Sequence, residues 1–264
     1  MIPVALTIAG SDPSGGAGLQ ADLKTFHAHG VYGASVVTLL TVQNTRTVSE
    51  IEFVGPAFVT AQIDAVISDI PPRAAKTGAL GNAGVIAAVA ACAARFAFPL
   101  VVDPVIVSKH GMPLMAEDAV DAFVRLLLPH AALVTPNLAE ASRLAGFEVR
   151  DAASMERAAR RIAAMGPRHV LVKGGHLEHG ATDLLLSDGR VRVFDGPRIA
   201  STSTHGTGCT LAAAITARLA RGEAVPAAAE GARAFVRRAI ATAPGLGGGV
   251  GPVNHFAPVD GGDA

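Results

Sequence analysis

The feature that most constrains this chain is a repeated alternation. Short, unbroken apolar runs end in polar or glycine-rich clusters, and most are followed by a stretch with helical spacing. The runs read "VALTIA" (4–9), "SVVTLLT" (35–41), "EIEFV" (50–54), "RAAKTG" (73–78), "PLVVD" (99–103), "ALVTPN" (132–137) and "HVLVKGG" (169–175). A strand with no polar alternation is buried on both faces, which is the condition of a parallel sheet covered by helices on each side. Helical spacing is expected over 17–29, 57–69, 83–96, 117–127, 138–145, 154–165 and 227–241. The segment "DLLLSDGRVRVFD" (183–195) carries Asp188-Gly189 between two alternating runs and predicts a hairpin. No stretch reads as a linker and no internal repeat appears, so one α/β domain over 1–264 is expected.

Composition excludes several classes. Half of the residues are hydrophobic and 17% are charged, which rules out a disordered chain. Lys+Arg and Asp+Glu are both 22 and form no basic run, so neither nucleic acid nor an anionic membrane is the expected partner. A small molecule is. The longest apolar run, 85–94, is too short to span a bilayer, and the first residues carry no basic leader. Cys92 and Cys209 are far apart and form no CxxC pattern, as suits a reducing compartment. The expectation is a cytoplasmic protein.

In open α/β sheets, ligands bind beyond the carboxyl ends of the strands. The polar clusters fall there: "GSDPSGGAG" (10–18), "QNT" (43–45), "KTG" (76–78), "DPV" (103–105), "TPN" (135–137) and "KGG" (173–175). One large site is expected. A further cluster, "HGTGCT" (205–210), precedes an Ala-rich helical stretch. Gly206 and Gly208 allow a tight turn, and the helix that follows offers free N–H groups and its positive dipole end. Together they suit a phosphate. Cys209, at the helix mouth, would gain thiolate character from the same field and could take a proton from an alcohol. A turn in front of a buried cysteine explains the segment equally well. Cys92, inside "IAAVAACAARF", reads as packing.

Other motifs carry two readings each. No Walker A loop exists. "GAGLQA" (16–21) matches GxGxxA, but Pro13 interrupts it and no carboxylate follows the second strand, so a dinucleotide site is the weaker reading. Asp103 ends a strand, and carboxylates at strand ends could hold Mg²⁺. Asn137 and Glu140 fit an N-cap with its capping box as well as a metal network. Lys173 could reach a phosphate or be an edge lysine. His176 and His179 read as surface histidines, with no third metal ligand evident.

Taken together, "TIAGSDPSGGAGLQADLKTF", "TVQNTRTV", "DPVIVSKHG", "LVTPNLAEA", "VLVKGGHLE", "STHGTGCTLAAAI" and "GPVNHF" resemble the hydroxymethylpyrimidine/phosphomethylpyrimidine kinase family of the ribokinase-like superfamily. The resemblance runs in order through almost the whole chain. It implies a three-layer ribokinase-like fold with a central, mostly parallel sheet and helices on both faces. It implies ATP-dependent phosphorylation of 4-amino-5-hydroxymethyl-2-methylpyrimidine and of its monophosphate, in thiamine biosynthesis, with Mg²⁺ and as a homodimer. By the same resemblance, Gly10, Asp22, Gln43 and Val105 contact the pyrimidine, Asp22 directly. Asp103, Asn137 and Glu140 form the Mg²⁺–phosphate network, while Lys173 and Thr204 contact the nucleotide phosphates. Gly206, Thr207 and Gly208 form the anion hole, with Cys209 facing the alcohol. Lys109 lies in a loop similar to the family's flap over the nucleotide. One departure is "KTGAL" (76–80), where members commonly read Lys-Ile-Gly-Met-Leu, so Ala79 replaces a Met that covers the ring. The alternatives are a pyridoxal/pyridoxine kinase of the same superfamily, a non-catalytic binding protein on this fold, and an NAD-linked oxidoreductase.

Overall fold

The structure is a computed structural model that describes residues 2–107, 112, 114–116, 118–175 and 181–260. Nine strands among these residues form one sheet. They are β1 (Val4–Ser11), β2 (Tyr32–Gln43), β3 (Val48–Phe53), β4 (Ala74–Thr77), β5 (Leu100–Val102), β6 (Leu133–Val134), β7 (His169–Gly174), β8 (Thr182–Ser187) and β9 (Arg190–Phe194). Their order across the sheet is β3-β2-β1-β4-β5-β6-β7-β8-β9. The six strands from β2 to β7 in that order run parallel, whereas β3, β8 and β9 join antiparallel at the two edges.

The helices are α1 (Gly18–Ala28), α2 (Pro56–Asp69), α3 (Ala83–Ala93), α4 (Ala119–Ala122), α5 (Leu138–Ala145), α6 (Ala152–Ala163), α7 (Thr207–Ala220) and α8 (Val225–Ala241). The helix expected over 117–127 begins as α4 and continues as a π-helical turn, Phe123–Leu127. A short 3₁₀ turn containing Pro129 ends it.

Strand periodicity sorts the core into two layers. Leu6, Ile8, Ala75, Leu100, Val102, Val134, Val170 and Val172 face the side covered by α2 to α6. Ala5, Ala74, Val101, Leu133, Leu171 and Leu185 alternate with them and face α1, α7 and α8. This is the period of two that sends successive side chains to opposite faces. Ala212, Ala213, Ala214 and Ala217 of α7 are all fully buried, so small side chains bring that helix close to the sheet. The expected hairpin is β8–β9. Asp188 and Gly189 take φ +48° and +76°, both positive, as a type I′ turn requires.

Candidate active site

The carboxyl ends of β1, β2 and β4 to β7 open into one cavity of about 650 Å³. Of the residues expected there, Gly10, Gln43, Asp103, Val105, Asn137, Glu140, Lys173, Thr204, Gly206, Thr207, Gly208 and Cys209 all line it. Lys109, His176 and His179 lie outside the described residues.

The middle of the cavity is built for negative charge. Gly206 caps α7 with φ +78°, a left-handed conformation that glycine adopts without strain. A Cβ there would lie 1.7 Å from the Gly16 carbonyl oxygen, so the two glycine loops interlock. The N–H groups of Gly208 and Cys209 meet no backbone carbonyl among the described residues, as expected of a first helical turn. The Thr207 hydroxyl donates to the Thr204 carbonyl at 2.7 Å and tightens the turn. Behind the loop, the His205 N–H donates to the Gly251 carbonyl at 2.9 Å, and Pro252 packs beside Gly16.

Gly208 brings this loop against an ion pair. Its missing Cβ would sit 3.3 Å from Lys173 Nζ and 3.7 Å from Asp103 Oδ2. Lys173 Nζ donates to Asp103 Oδ1 at 2.9 Å, and the Thr135 hydroxyl donates to the same oxygen at 3.0 Å. Burial disfavours the lysine's charge, but Asp103 and Glu140 outweigh it and hold its pKa above the ordinary value. Glu140 is pushed up, first by burial and then by Asp103, against the pull of Lys173. Asn137 and Glu140 do form a reciprocal capping box: the Glu140 N–H donates to Asn137 Oδ1 at 2.9 Å, and the Asn137 N–H to Glu140 Oε2 at 2.8 Å. The cap also fixes both side chains on the cavity wall. The two readings of this pair are thus compatible.

Cys209 requires a correction. The helix field was expected to favour its thiolate, yet burial dominates and pushes the thiol up to about 11. Lys76 and the Gly18 amide oppose that rise, whereas Asp22 and Asp103 add to it. About one thiol in ten thousand would be ionised at pH 7.

Asp22 also differs from expectation. It has no exposed surface and does not line the cavity. Its carboxylate takes two hydrogen bonds from Lys76 Nζ, at 2.9 and 2.8 Å, and one from the Thr7 hydroxyl at 2.6 Å. Lys76, fully buried itself, is held in its charged form because Asp22 outweighs the penalty of burial. The reason for the difference is a strand lysine that points inward. Residues 5, 7, 74 and 76 share the face toward α1 and α7. The lysine therefore needs an acid packed on that face, and Asp22 of α1 is the chief one, with Asp103 adding to its effect.

The cavity has two unlike ends. Gly10, Leu39, Thr41, Gln43, Ala79 and Val105 line one. A Cβ on Gly10 would overlap Leu39 Cδ1 at 2.5 Å, so glycine there keeps the wall open. Val105 adopts φ +35°, a conformation that costs a β-branched residue strain and that clusters at ligand sites. The other end is an apolar slot of Ile199, Val236 and Ile240, flanked by Arg198 and Arg237. Arg233 closes its floor by donating to Asp183 Oδ2 at 2.9 Å and to the Ala181 carbonyl at 2.6 Å. A planar group on each side of a central anion site fits this shape.

Known proteins match this description. The profile of the phosphomethylpyrimidine kinase family matches residues 12–254. The chain belongs to that family. A hydroxymethylpyrimidine/phosphomethylpyrimidine kinase from Synechococcus elongatus is 45% identical over 261 residues, covering 98% of this chain and 99% of that one. A thiamine biosynthesis bifunctional protein from Geobacter sulfurreducens is 50% identical over 253 residues, 95% of this chain but 52% of the larger protein. Among solved structures, an ADP complex of Bacillus subtilis pyridoxal kinase superposes with a TM-score of 0.89 at 36% identity, covering 97% of this chain and 98% of that one. As a phosphomethylpyrimidine kinase family member the chain is an ATP-dependent kinase, and the ribokinase-like fold expected of it is the one described above. No described helix is long and apolar enough to cross a membrane.

Sequence reasoning missed three groups: Asp12, His205 and Lys76. Asp12 and His205 were visible only as letters inside glycine-rich motifs. The signal for Lys76 was a lysine in the middle of an otherwise apolar strand run.

Proposed function

We propose that this chain transfers the γ-phosphoryl group of ATP to the hydroxymethyl oxygen of 4-amino-5-hydroxymethyl-2-methylpyrimidine. It then phosphorylates the monophosphate to the pyrophosphate, supplying thiamine biosynthesis. The observation that carries this reading is the central cradle. Gly208 sets the first turn of α7, whose Gly208 and Cys209 N–H groups meet no backbone carbonyl among the described residues, against Lys173 and Asp103. The same cavity also holds a ring-sized polar wall and an apolar slot.

The chemistry asks mainly for alignment and charge neutralisation. The apolar slot takes adenine, which sets the phosphates along Thr204 and Lys173. The N–H groups of Gly208 and Cys209 hold the transferring phosphoryl group. Gln43 and Val105 orient the pyrimidine so that its hydroxymethyl points at the same phosphorus. As the alcohol oxygen bonds to phosphorus, the bond to the bridging oxygen of ADP breaks. In a loose transition state the alcohol keeps its proton until the new bond to phosphorus has formed, and the proton then passes to an oxygen of the transferred phosphoryl group and on to water. Cys209, protonated at neutral pH, therefore serves to position the alcohol rather than to deprotonate it in advance.

Asp103 and Glu140, with Asn137, are the residues that would hold Mg²⁺. Two carboxylates fit a hard cation that brings phosphate oxygens and water as its other ligands. Bound there, Mg²⁺ would supply positive charge to the phosphates. Lys173 supplies a second positive charge from the chain itself. A homodimer, implied by the family, is tested by sedimentation.

Pyridoxine phosphorylation is a second reading, favoured by Ala79. This small residue lies in the wall beside Gly10 and leaves space over the ring. The deciding experiment measures ATP consumption with the pyrimidine alcohol, its monophosphate and pyridoxine side by side. The first two are expected to turn over faster. Turnover confined to pyridoxine would reverse the assignment.

A further inference from the structure

Three segments that the site depends on meet at one buried carboxylate. Asp12 Oδ1 accepts from the Ser14 N–H at 2.9 Å and the Ser14 hydroxyl at 2.7 Å. Its Oδ2 accepts from the Ala17 N–H at 2.8 Å and from His205 Nε2 at 2.8 Å. Both residues are 3% exposed. His205 Nε2 also lies 3.3 Å from the Gln43 amide. Asp12 thus reaches the loop before α1, the loop before α7 and the end of β2.

The donors and acceptors can be assigned from chemistry. Burial raises the Asp12 carboxyl, but bonds from His205 and Ser14 outweigh it and leave it below the ordinary range. An ionised carboxylate only accepts, so His205 Nε2 carries the proton. That N–H cannot also accept from the Gln43 NH₂. Gln43 therefore turns its carbonyl oxygen toward His205 and its NH₂ toward the Thr41 hydroxyl, whose own hydrogen goes to the Ser11 carbonyl at 3.0 Å. In this orientation every contact of the network pairs a donor with an acceptor.

We propose that Asp12, acting through His205, is a positioning residue that links the ring end at Gln43 to the phosphate loop 206–209. His205 is the residue directly before Gly206, and its ring packs over Gly16, where a Cβ would lie 2.5 Å from Cδ2. Any shift of His205 moves the anion hole. A ring held by Gln43 steadies His205, and the steadied loop holds the phosphoryl group in line with the alcohol. The inference rests on the kinase reading above and adds a coupling between its two halves.

The test is a double-mutant cycle on the full chain with Asp12→Asn and Gln43→Ala, read by steady-state kinetics at saturating ATP. Asp12→Asn keeps the shape and loses the charge. It is expected to lower kcat by about 10- to 100-fold, as misalignment of reacting groups does, while the KM for ATP changes far less. Gln43→Ala is expected to raise the KM for the pyrimidine alcohol and also to lower kcat. In the double variant the two losses should fall short of their product by ~5-fold or more, as expected of residues in one network. If Asp12→Asn fails to fold, His205→Gln replaces it in the cycle with the same expectation. Losses that multiply to within about twofold would overturn the coupling. So would a folded Asp12→Asn variant with a lower Tm and an unchanged kcat. A wild-type protein inactive on the pyrimidine alcohol and on pyridoxine would overturn the kinase reading instead, so the two failures are separable.

Discussion

Replacing Lys76 by Met removes one half of a fully buried ion pair and leaves the other half in place. Asp22 would keep its Thr7 hydrogen bond but lose both bonds from Nζ, at 2.9 and 2.8 Å, with no solvent to replace them. Breaking such a pair from one side costs about 3–5 kcal/mol, because a charge is left buried without compensation. At this chain length each kcal/mol moves Tm by roughly 2–4 °C, so a fall of about 6–20 °C is expected. The double variant Lys76→Met with Asp22→Asn removes both charges and preserves volume. It should recover most of the loss, because a buried pair replaced by neutral groups is often close to neutral in stability. Urea unfolding followed by far-UV circular dichroism, with calorimetry, measures both. A single variant within about 1 kcal/mol of wild type, or a double variant as costly as the single, would refute the reasoning. The same double variant tests the placement of Asp22. With the acid behind the wall, the KM for the pyrimidine alcohol should change only a few-fold. A large rise in a well-folded double variant would return Asp22 to the ring.

Three further outcomes follow from the geometry. With the Cys209 thiol pushed up to about 11, kcat/KM should show no inflection near pH 7 that depends on it; an inflection there that disappears in Cys209→Ala would contradict the raised value, and that variant should itself lose turnover. His29 and His255 are buried and depressed to about 4, mainly by burial, so the unfolded chain binds more protons than the folded one between about pH 6.5 and 4. Stability should therefore fall as pH drops through that window, by on the order of 2–3 kcal/mol for each histidine, and level off below it; unfolding curves at pH 7, 5.5 and 4 in His29→Gln and the parent would show it. Gly206→Ala should lower both Tm and kcat, because its Cβ would collide with the Gly16 carbonyl at 1.7 Å on top of a left-handed backbone; near-normal turnover would refute the interlock of the two loops.

Much of the frame was legible because it follows from local rules. Unbroken apolar runs gave the parallel strands, and Asp188-Gly189 gave the hairpin. Asn137 and Glu140 announced their capping box by spacing alone. Boundaries moved where neighbours decide them: β2 extends to Tyr32–Gln43 because β1 and β3 pair along most of its length. Gly206 and Gly208 were readable as a tight turn at the start of a helix. What escaped depends on contacts between distant parts of the chain. Asp12 and His205 are 193 positions apart, and neither carries a periodic signal. The thiol was misjudged because a helix terminus is visible in sequence whereas the burial that opposes it is not. Asp22 looked like a ligand contact until Lys76 supplied its partner.

The backing of the phosphate loop by residues 251–253 bears on when the enzyme comes alive during synthesis. Strands β1 to β7 and their helices are complete well before that segment leaves the ribosome, so a nascent chain can hold its sheet. The turn at His205–Gly206 still lacks the Gly251 carbonyl and the packing of Pro252. Such long-range contacts form late, after the local ones that carry the frame. Catalytic competence is then acquired only once residues 251–253 have emerged and docked, and a chain without them has no formed cradle in which to hydrolyse ATP.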